Sequence, residues 1–237
     1  MTPLIDTHSH LLPGVDDGCA TLDESLACAR QFAAAGYTHV ACTPHVWPSL
    51  PHNNVREIVL RVGRLQAALD AAGVAVRLVP GGENNFRELD VRQPKAAIPT
   101  YGMAGRYVLA DLWVETLPAW FWEKVRWLQS LDLTVILAHP ERMRAVHDDP
   151  DLADRFADAG VRLQGNLQCF ADAVGTRNRD VAERYLAEGR YFMLGSDLHG
   201  AGTVANRLKG LARVCEAVDA ATVRRLTHDA PREVLGL

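Results

Sequence analysis

The sequence predicts an α/β fold built on a parallel sheet. Three observations carry this: seven short, apolar, β-rich runs recur along the 237 residues, longer stretches of helical period alternate with them, and no Pro/Gly/Ser-rich linker divides the chain. One domain spanning residues 1–237 is the economical organisation. Seven repeats of about 34 residues suit a TIM-like barrel one unit short of eight, and an open doubly wound sheet fits the same alternation. Both architectures place a site at the carboxyl ends of the strands.

The first predicted strand runs from Leu4 to Thr7. Thr21-Leu22-Asp23-Glu24 then reads as a capping box opening a helix that Gly36 closes. A strand at His39–Thr43 leads to a helix over Val55–Ala72, ended by Gly73, and to a third strand at Val76–Pro80. The fourth strand, Tyr107–Leu112, precedes a helix at Pro118–Leu131, whose apolar stripe is Phe121, Val125, Leu128 and Leu131. Strands at Thr134–Ala138, Val161–Gly165 and Tyr191–Gly195 alternate with helices at Leu152–Ala159 and Asp180–Glu188. Helices at Val204–Val218 and Thr222–Leu235 complete the chain. Several strands are almost wholly apolar, as strands covered on both faces are.

Composition excludes several functions. Lys and Arg number 25 against 29 Asp and Glu, so no global basic field draws the chain to nucleic acid or to an anionic membrane surface. No apolar run approaches the roughly 20 residues of a spanning helix and no secretory leader pattern opens the chain; a cytoplasmic location is the default expectation. The five cysteines, Cys19, Cys28, Cys42, Cys169 and Cys215, form no C-x-x-C pair and none begins a C-x5-R phosphatase loop. They are expected to be buried, inert thiols.

The chemistry lies at the strand ends. His8 and His10 stand one residue apart in His8-Ser9-His10, and in extended chain residues i and i+2 face the same side. Alone, that pair also reads as two surface imidazoles. Later strand exits repeat the theme with His45, Glu83, Asp111, His139, Asp197 and His199; only the sixth, Gln164-Gly165-Asn166, carries no ionisable residue. A nitrogen-and-oxygen ligand set without sulfur suits Mn, Fe, Zn, Co or Ni in a catalytic rather than a closed structural site. The donors outnumber what one ion holds, so two or three bridged ions are expected. Clustered cations acidify bound water and neutralise an incoming phosphate, which makes phosphoester hydrolysis by a metal-bridging hydroxide the natural reaction. Arg142, three residues after His139, is placed to clamp phosphoryl oxygens, with a surface ion pair as its alternative role.

Together, Asp6-Thr7-His8-Ser9-His10, Val15-Asp16-Asp17-Gly18, Thr43-Pro44-His45, His139-Pro140-Glu141-Arg142 and Ser196-Asp197-Leu198-His199 resemble the polymerase-and-histidinol-phosphatase (PHP) superfamily. More narrowly they resemble its bacterial manganese-dependent protein-tyrosine phosphatases of the capsular CpsB/YwqE type. The resemblance runs from residue 4 to about residue 199. It implies a distorted TIM-like (β/α)7 barrel, the PHP fold, with a three-metal centre. His8, His10, Glu83 and Asp197 would surround one ion; Glu83, Asp111 and His139 a second; Asp17, His45 and His199 the third, with Arg142 on the phosphate. It also implies manganese as the ion, and as partner a bacterial tyrosine kinase of exopolysaccharide synthesis whose tail is the substrate. Asp17 without the resemblance reads as an Asx-turn residue, while Asp6 and Asp16 are turn or ligand-orienting candidates.

Two features depart from that pattern. Asp111 stands where a Glu is usual and is one methylene shorter, with Glu115 as the alternative carboxylate; and Asn84-Asn85-Phe86-Arg87-Glu88 replaces a hydrophobic continuation and is expected to border the substrate entrance. Among the remaining histidines, His52 is a candidate for the site rim, His39 a strand residue, and His147 and His228 surface residues. Trp47, Trp113, Trp120 and Trp122 read first as packing or as cover for the mouth, and second as stacking surfaces for an aryl phosphate. The competing functions are hydrolysis of a small ester such as histidinol phosphate or a nucleotide, and a non-catalytic metal-binding regulator.

Overall fold

The computed structural model describes residues 2–237 and contains nine strands, all parallel to their neighbours, arranged in two sheets. In chain order the strands are β1 (Leu4–Ser9), β2 (Tyr37–Cys42), β3 (His45–Val46), β4 (Arg77–Pro80), β5 (Glu83–Asn85), β6 (Tyr107–Asp111), β7 (Thr134–Ala138), β8 (Arg162–Asn166) and β9 (Met193–Gly195). One sheet has the order β1-β2-β4 and the other β3-β5-β6-β7-β8-β9. Every predicted strand is present; the unpredicted ones, β3 and β5, follow β2 and β4 closely.

Those two interruptions have local causes. Pro44 cannot donate to a ladder, so pairing stops at Cys42 and resumes at His45. On the neighbouring strand Gly81-Gly82 makes the matching break, and Gly82 is needed because a Cβ there would stand 2.7 Å from Pro99 Cβ and 2.8 Å from Val46 Cγ2. The resumed segments pair in register with His45 opposite Glu83. The kinks thus bring two predicted ligands face to face. β1 also meets the exit of β9: Asp197 donates its N–H to His8 O at 2.8 Å, and His10 donates to Leu198 O at 2.9 Å.

The helices are α1 (Leu22–Ala34), α2 (Val55–Ala71), α3 (Trp120–Ser130), α4 (Arg144–Asp148), α5 (Leu152–Asp158), α6 (Leu167–Ala171), α7 (Arg177–Ala187), α8 (Val204–Ala217), α9 (Ala220–Arg224) and α10 (Ala230–Leu235). Thr21 Oγ1 caps α1 by accepting from Glu24 N at 3.2 Å, as the sequence predicts. Glu24 does not close the box on the cap residue itself; its Oε2 accepts from Ala20 N at 2.9 Å. Asn54, a cap not foreseen, accepts from Glu57 N to start α2. The single helix expected over Thr222–Leu235 is instead α9, a π-helical turn at Arg225–Asp229, and α10. Pro231 has no N–H for the carbonyl four residues back, so the ladder slips there.

Alternation along the strands divides the core in two. Val108, Ala110, Val135 and Leu137 join Phe32, Phe121 and Phe156 in a large cluster beneath the helices. Ile5, Ala41, Leu109, Ile136, Ala138 and Met193 form a smaller cluster with Val234 and Leu235 of α10. Burial of both strand faces accounts for their near-continuous apolar sequence. The carboxyl-end positions beyond the second cluster are the polar ones.

Candidate metal centre

Three backbone devices aim the strand-end side chains at one point. β1 carries register irregularities between Leu4 and Ile5 and between Asp6 and Ser9, and both His8 and His10 turn their Nε2 atoms toward Asp197 Oδ1, at 3.5 and 3.3 Å. His139 follows Ala138, so extended chain would send it toward the helices with Val135 and Leu137. Its left-handed backbone, φ 33 and ψ 54, turns it back toward the centre. Asp197 is also left-handed, with φ 49. Non-glycine residues in this region carry strain of order 1–3 kcal/mol each, which clusters at functional sites.

Glu83 lies at the middle. Its carboxylate is 3.0 Å from His139 Nε2, 3.3 Å from His8 Nε2, 3.5 Å from His10 Nε2, and 2.7 Å from His45 Nδ1, the last too poorly aligned for a hydrogen bond. Asp17 Oδ1 lies 3.3 Å from His45 Nε2 and 3.4 Å from His199 Nε2. The donor atoms fall into four overlapping groups: His10, Asp17, His45 and His199; His8, His10 and Asp197; His8, Glu83 and His139; and His45, Glu83 and Asp111. All nine predicted ligands are brought together. The grouping differs from the resemblance: Asp111 clusters with His45 and Glu83, His139 with His8 and Glu83, His10 also joins Asp17, His45 and His199, and Glu83 stands outside the His8, His10 and Asp197 group. Glu115 is exposed and belongs to none of these groups.

The donor set fits divalent metal ions. Nine buried side-chain polar atoms lack a hydrogen bond among the described residues, and five of them converge here: His8 Nε2, His10 Nε2, His45 Nδ1, Glu83 Oε2 and Asp111 Oδ1. Unsatisfied buried polar atoms cost roughly 1–3 kcal/mol each, and such a concentration of inward-facing donors fits the binding of cations. The spacings agree, since two donors at right angles, each about 2.1 Å from one ion, stand about 3.0 Å apart.

Surrounding polar groups engage the outer ring nitrogens of three imidazoles. His10 Nδ1 is 2.8 Å from Asp16 Oδ2, His8 Nδ1 is 3.0 Å from Gln164 Oε1, and His199 Nδ1 is 2.9 Å from Asp197 O. Asp16 is therefore an orienting residue, while Asp6 accepts from the Ser196 backbone and hydroxyl and secures the Asp197 loop. The sixth strand contributes through neutral amides: Gln164 supports His8, and Asn166 Nδ2 donates to Asp197 Oδ2 at 2.8 Å. Arg207, buried, donates to the Ser196 and Asp197 carbonyls. Gln164, Asn166 and Arg207 were not foreseen, because nothing in their sequence marks an amide or a helix arginine as facing a ligand.

Charge is balanced tightly. Burial disfavours ionisation of Glu83, yet His8 beside it and the His139 hydrogen bond hold its carboxyl well below the usual range. Burial and the facing Glu83 charge push Asp111 up to about 6. Burial opposes protonation of His139, but the hydrogen bond to Glu83 and the nearby Asp111 raise it to about 9. Bound cations would take over the role of those imidazole protons.

The remaining site residues lie toward solvent. Arg142 Nη1 donates to Asp197 Oδ2 at 2.8 Å, and its guanidinium carbon lies 4.8 Å from the centre of the Trp113 ring. Trp113 Nε1 donates to Asp111 Oδ2 at 3.0 Å. Trp47 stacks on His45 with ring centres 4.3 Å apart; with His52, it lines a cleft of about 400 Å3 beside His45 and Asp17. Trp120 and Trp122 pack against the core. Asn84 and Phe86 do not border the entrance as expected: Asn84 is buried on the Gly82, Pro99 and Leu109 carbonyls, and Phe86 packs against Phe121. Two further expectations need correction: Cys215 is exposed, and His147 is half-buried on the Glu141 carbonyl.

Residues 4–236 match the family described as "Capsular polysaccharide synthesis, CpsB/CapC". The chain belongs to the CpsB/CapC family. Its relatives include the tyrosine-protein phosphatase YwqE of Bacillus subtilis, 23% identical over 201 residues covering 84% of this chain and 79% of YwqE. Another is the tyrosine-protein phosphatase CpsB of Streptococcus agalactiae, 23% identical over 210 residues covering 83% of each. Among solved structures, one described as YwqE from Bacillus subtilis and CpsB from Streptococcus pneumoniae, metal-dependent tyrosine phosphatases, superposes with a TM-score of 0.88 at 20% identity, covering 98% of this chain and 94% of the other. A histidinol phosphate phosphatase from Lactococcus lactis aligns with a TM-score of 0.51 at 12% identity, over 90% of this chain and 94% of its own. No described helix is long and apolar enough to cross a membrane.

Proposed function

We propose that this CpsB/CapC-family chain is a metal-dependent protein-tyrosine phosphatase, with manganese the expected ion and the tail of a tyrosine kinase of exopolysaccharide synthesis its expected substrate. One observation carries the reading: five imidazoles and four carboxylates meet at the strand exits with five buried donor atoms unpaired. His8, His10, Asp17, His45, Glu83, Asp111, His139, Asp197 and His199 are the ligands in this reading. Bound divalent ions would acidify water and neutralise phosphoryl oxygens. The protein's own side chains do the rest. Arg142, hydrogen-bonded through Nη1 alone and positioned by Asp197 and Trp113, presents its other N–H groups to the phosphoryl oxygens as charge develops. Gln164 and Asp16 accept from the far nitrogens of His8 and His10, which keeps the Nε2 lone pairs aimed inward. Water is the nucleophile in this reading, so no covalent phosphoenzyme is expected.

The finer architecture in this reading is one domain with a distorted seven-stave barrel. β2 with β3, and β4 with β5, would each be one stave bent at Pro44 and Gly81-Gly82, and the Ser9–Leu198 bridge would join the last stave to the first. Asp17 is mostly exposed, and such an open third group favours a protein tail over an enclosed small ester. The deciding experiment is metal analysis of the purified protein coupled to turnover of phosphotyrosine peptides against histidinol phosphate. Preference for histidinol phosphate would replace the substrate assignment, and no turnover of either with added Mn would replace the enzymatic one.

A further inference from the structure

Trp113 is the single aromatic among the large exposed hydrophobic side chains of the described residues, with 51% of its surface open. An isolated exposed indole would need no explanation if it were loose, but this one is fixed at three points. Its Nε1 donates to Asp111, the Arg142 guanidinium covers one part of the ring, and Arg87 Nη2 donates to its carbonyl at 3.3 Å. The ring centre is 5.8 Å from that of His139. A rigid, half-open aromatic surface therefore adjoins both the phosphate-clamp arginine and a ligand imidazole. Trp47 does not offer the same, since it stacks on His45 and its indole nitrogen is buried.

We propose that Trp113 selects aryl over alkyl phosphate esters, its open indole surface receiving the aromatic ring of the substrate. The proposal rests on the phosphatase reading above and specifies how that site recognises its substrate class. In an aryl phosphate the ring begins one oxygen away from phosphorus. A phosphoryl group held at Arg142, whose guanidinium is 4.8 Å from the indole centre, lets the ring reach the stacking range of about 4.5–7 Å from the indole. An alkyl ester reaches the same place with no π-face and gains nothing there. The indole N–H acts separately, fixing Asp111 Oδ2 and leaving Oδ1, buried and unpaired, facing the donor cluster. Trp113 is accordingly a positioning residue for Asp111 through its nitrogen and a specificity residue through its ring.

The two roles separate in two variants of the Mn-loaded protein. Inhibition of aryl phosphate hydrolysis by phenylphosphonate and by methylphosphonate gives the aryl preference as a ratio of Ki values. Trp113→Leu loses both the ring and the N–H, so Ki for both inhibitors is expected to rise as Mn is lost, with Ki for phenylphosphonate rising roughly a further 2- to 10-fold and the preference ratio falling by that factor. Trp113→Phe keeps a ring and lacks the N–H, so it should retain the preference while binding less Mn per chain. An unchanged ratio in Trp113→Leu, or equal loss of preference in both variants, would overturn the role of the ring. A wild-type protein inert on aryl phosphates with Mn would instead overturn the phosphatase reading, so the two failures are distinguishable.

Discussion

Replacing Gln164 by Leu tests whether the sixth strand serves the metal centre through its amides. Gln164 is buried, its Oε1 lies 3.0 Å from His8 Nδ1, and its Nε2 donates to Thr7 Oγ1 at 3.2 Å. Leu has nearly the same volume, so packing is conserved and the loss is polar. Thr7 keeps its hydrogen bond to the Leu194 carbonyl. His8 bears the cost. Without an ion it can shift its proton to Nε2, beside Glu83 and Asp197, and avoid a stranded Nδ1–H. With an ion on Nε2 the proton must sit on Nδ1, where the substituted leucine side chain offers no acceptor. The penalty therefore falls on the loaded state, and orienting-group losses of this kind reduce metal affinity about 10- to 100-fold. That corresponds to about 1.4–2.7 kcal/mol less stabilisation by saturating Mn. At about 2–4 °C per kcal/mol for a chain of this size, the Mn-induced rise in Tm should shrink by roughly 3–10 °C while the metal-free Tm moves little. Calorimetric Mn titration and thermal unfolding with and without Mn measure both quantities. Wild-type Mn affinity in Gln164→Leu would refute the reasoning.

Other perturbations reach the centre more directly. His139→Ala and Asp197→Ala should each abolish turnover and lower bound metal, measured by metal analysis and phosphate release; retention of both properties by either variant would remove that residue from the ligand set. Arg142→Ala should lower kcat/KM for an aryl phosphate roughly 10²- to 10³-fold with metal content intact, and wild-type turnover would end its clamp role. Mn affinity should rise with pH between about 6.5 and 9, because a protonated His139 cannot ligate and its pKa is raised to about 9. The sign is opposite for the metal-free fold. Stability contributed by the protonated His139–Glu83 pair is fully present below about pH 6.5 and is lost as pH rises through about 9, which unfolding of chelator-treated protein reads.

Much of the site was legible because parallel strands buried on both faces leave polar residues only at their ends. His8, His10, His45, Glu83, Asp111, His139, Asp197 and His199 each follow an apolar run, and all converge in the fold. The supporting layer was not legible in the same way. Gln164 and Asn166 are neutral, and their roles depend on which strand lies beside β8 and on close approach. Gly195 illustrates the point: a Cβ there would overlap Gln164 Nε2 and stand 2.7 Å from His8 Cβ. Phe86 also escaped, since a single aromatic after a ligand position reads equally as rim or as core.

The sequence by itself determined the class of fold, the strand ends and the chemistry of the donors, because periodicity and residue type are local properties that survive without knowledge of neighbours. Tertiary structure decided which donor atoms cluster together, that Asp111 faces His45 and Glu83, and that His139 turns inward by a left-handed backbone. It also decided that Trp113 stands pinned and half-open beside Arg142. These outcomes depend on distances between residues far apart in the chain, set by strand order and by the breaks at Pro44 and Gly81-Gly82, and no local pattern encodes them.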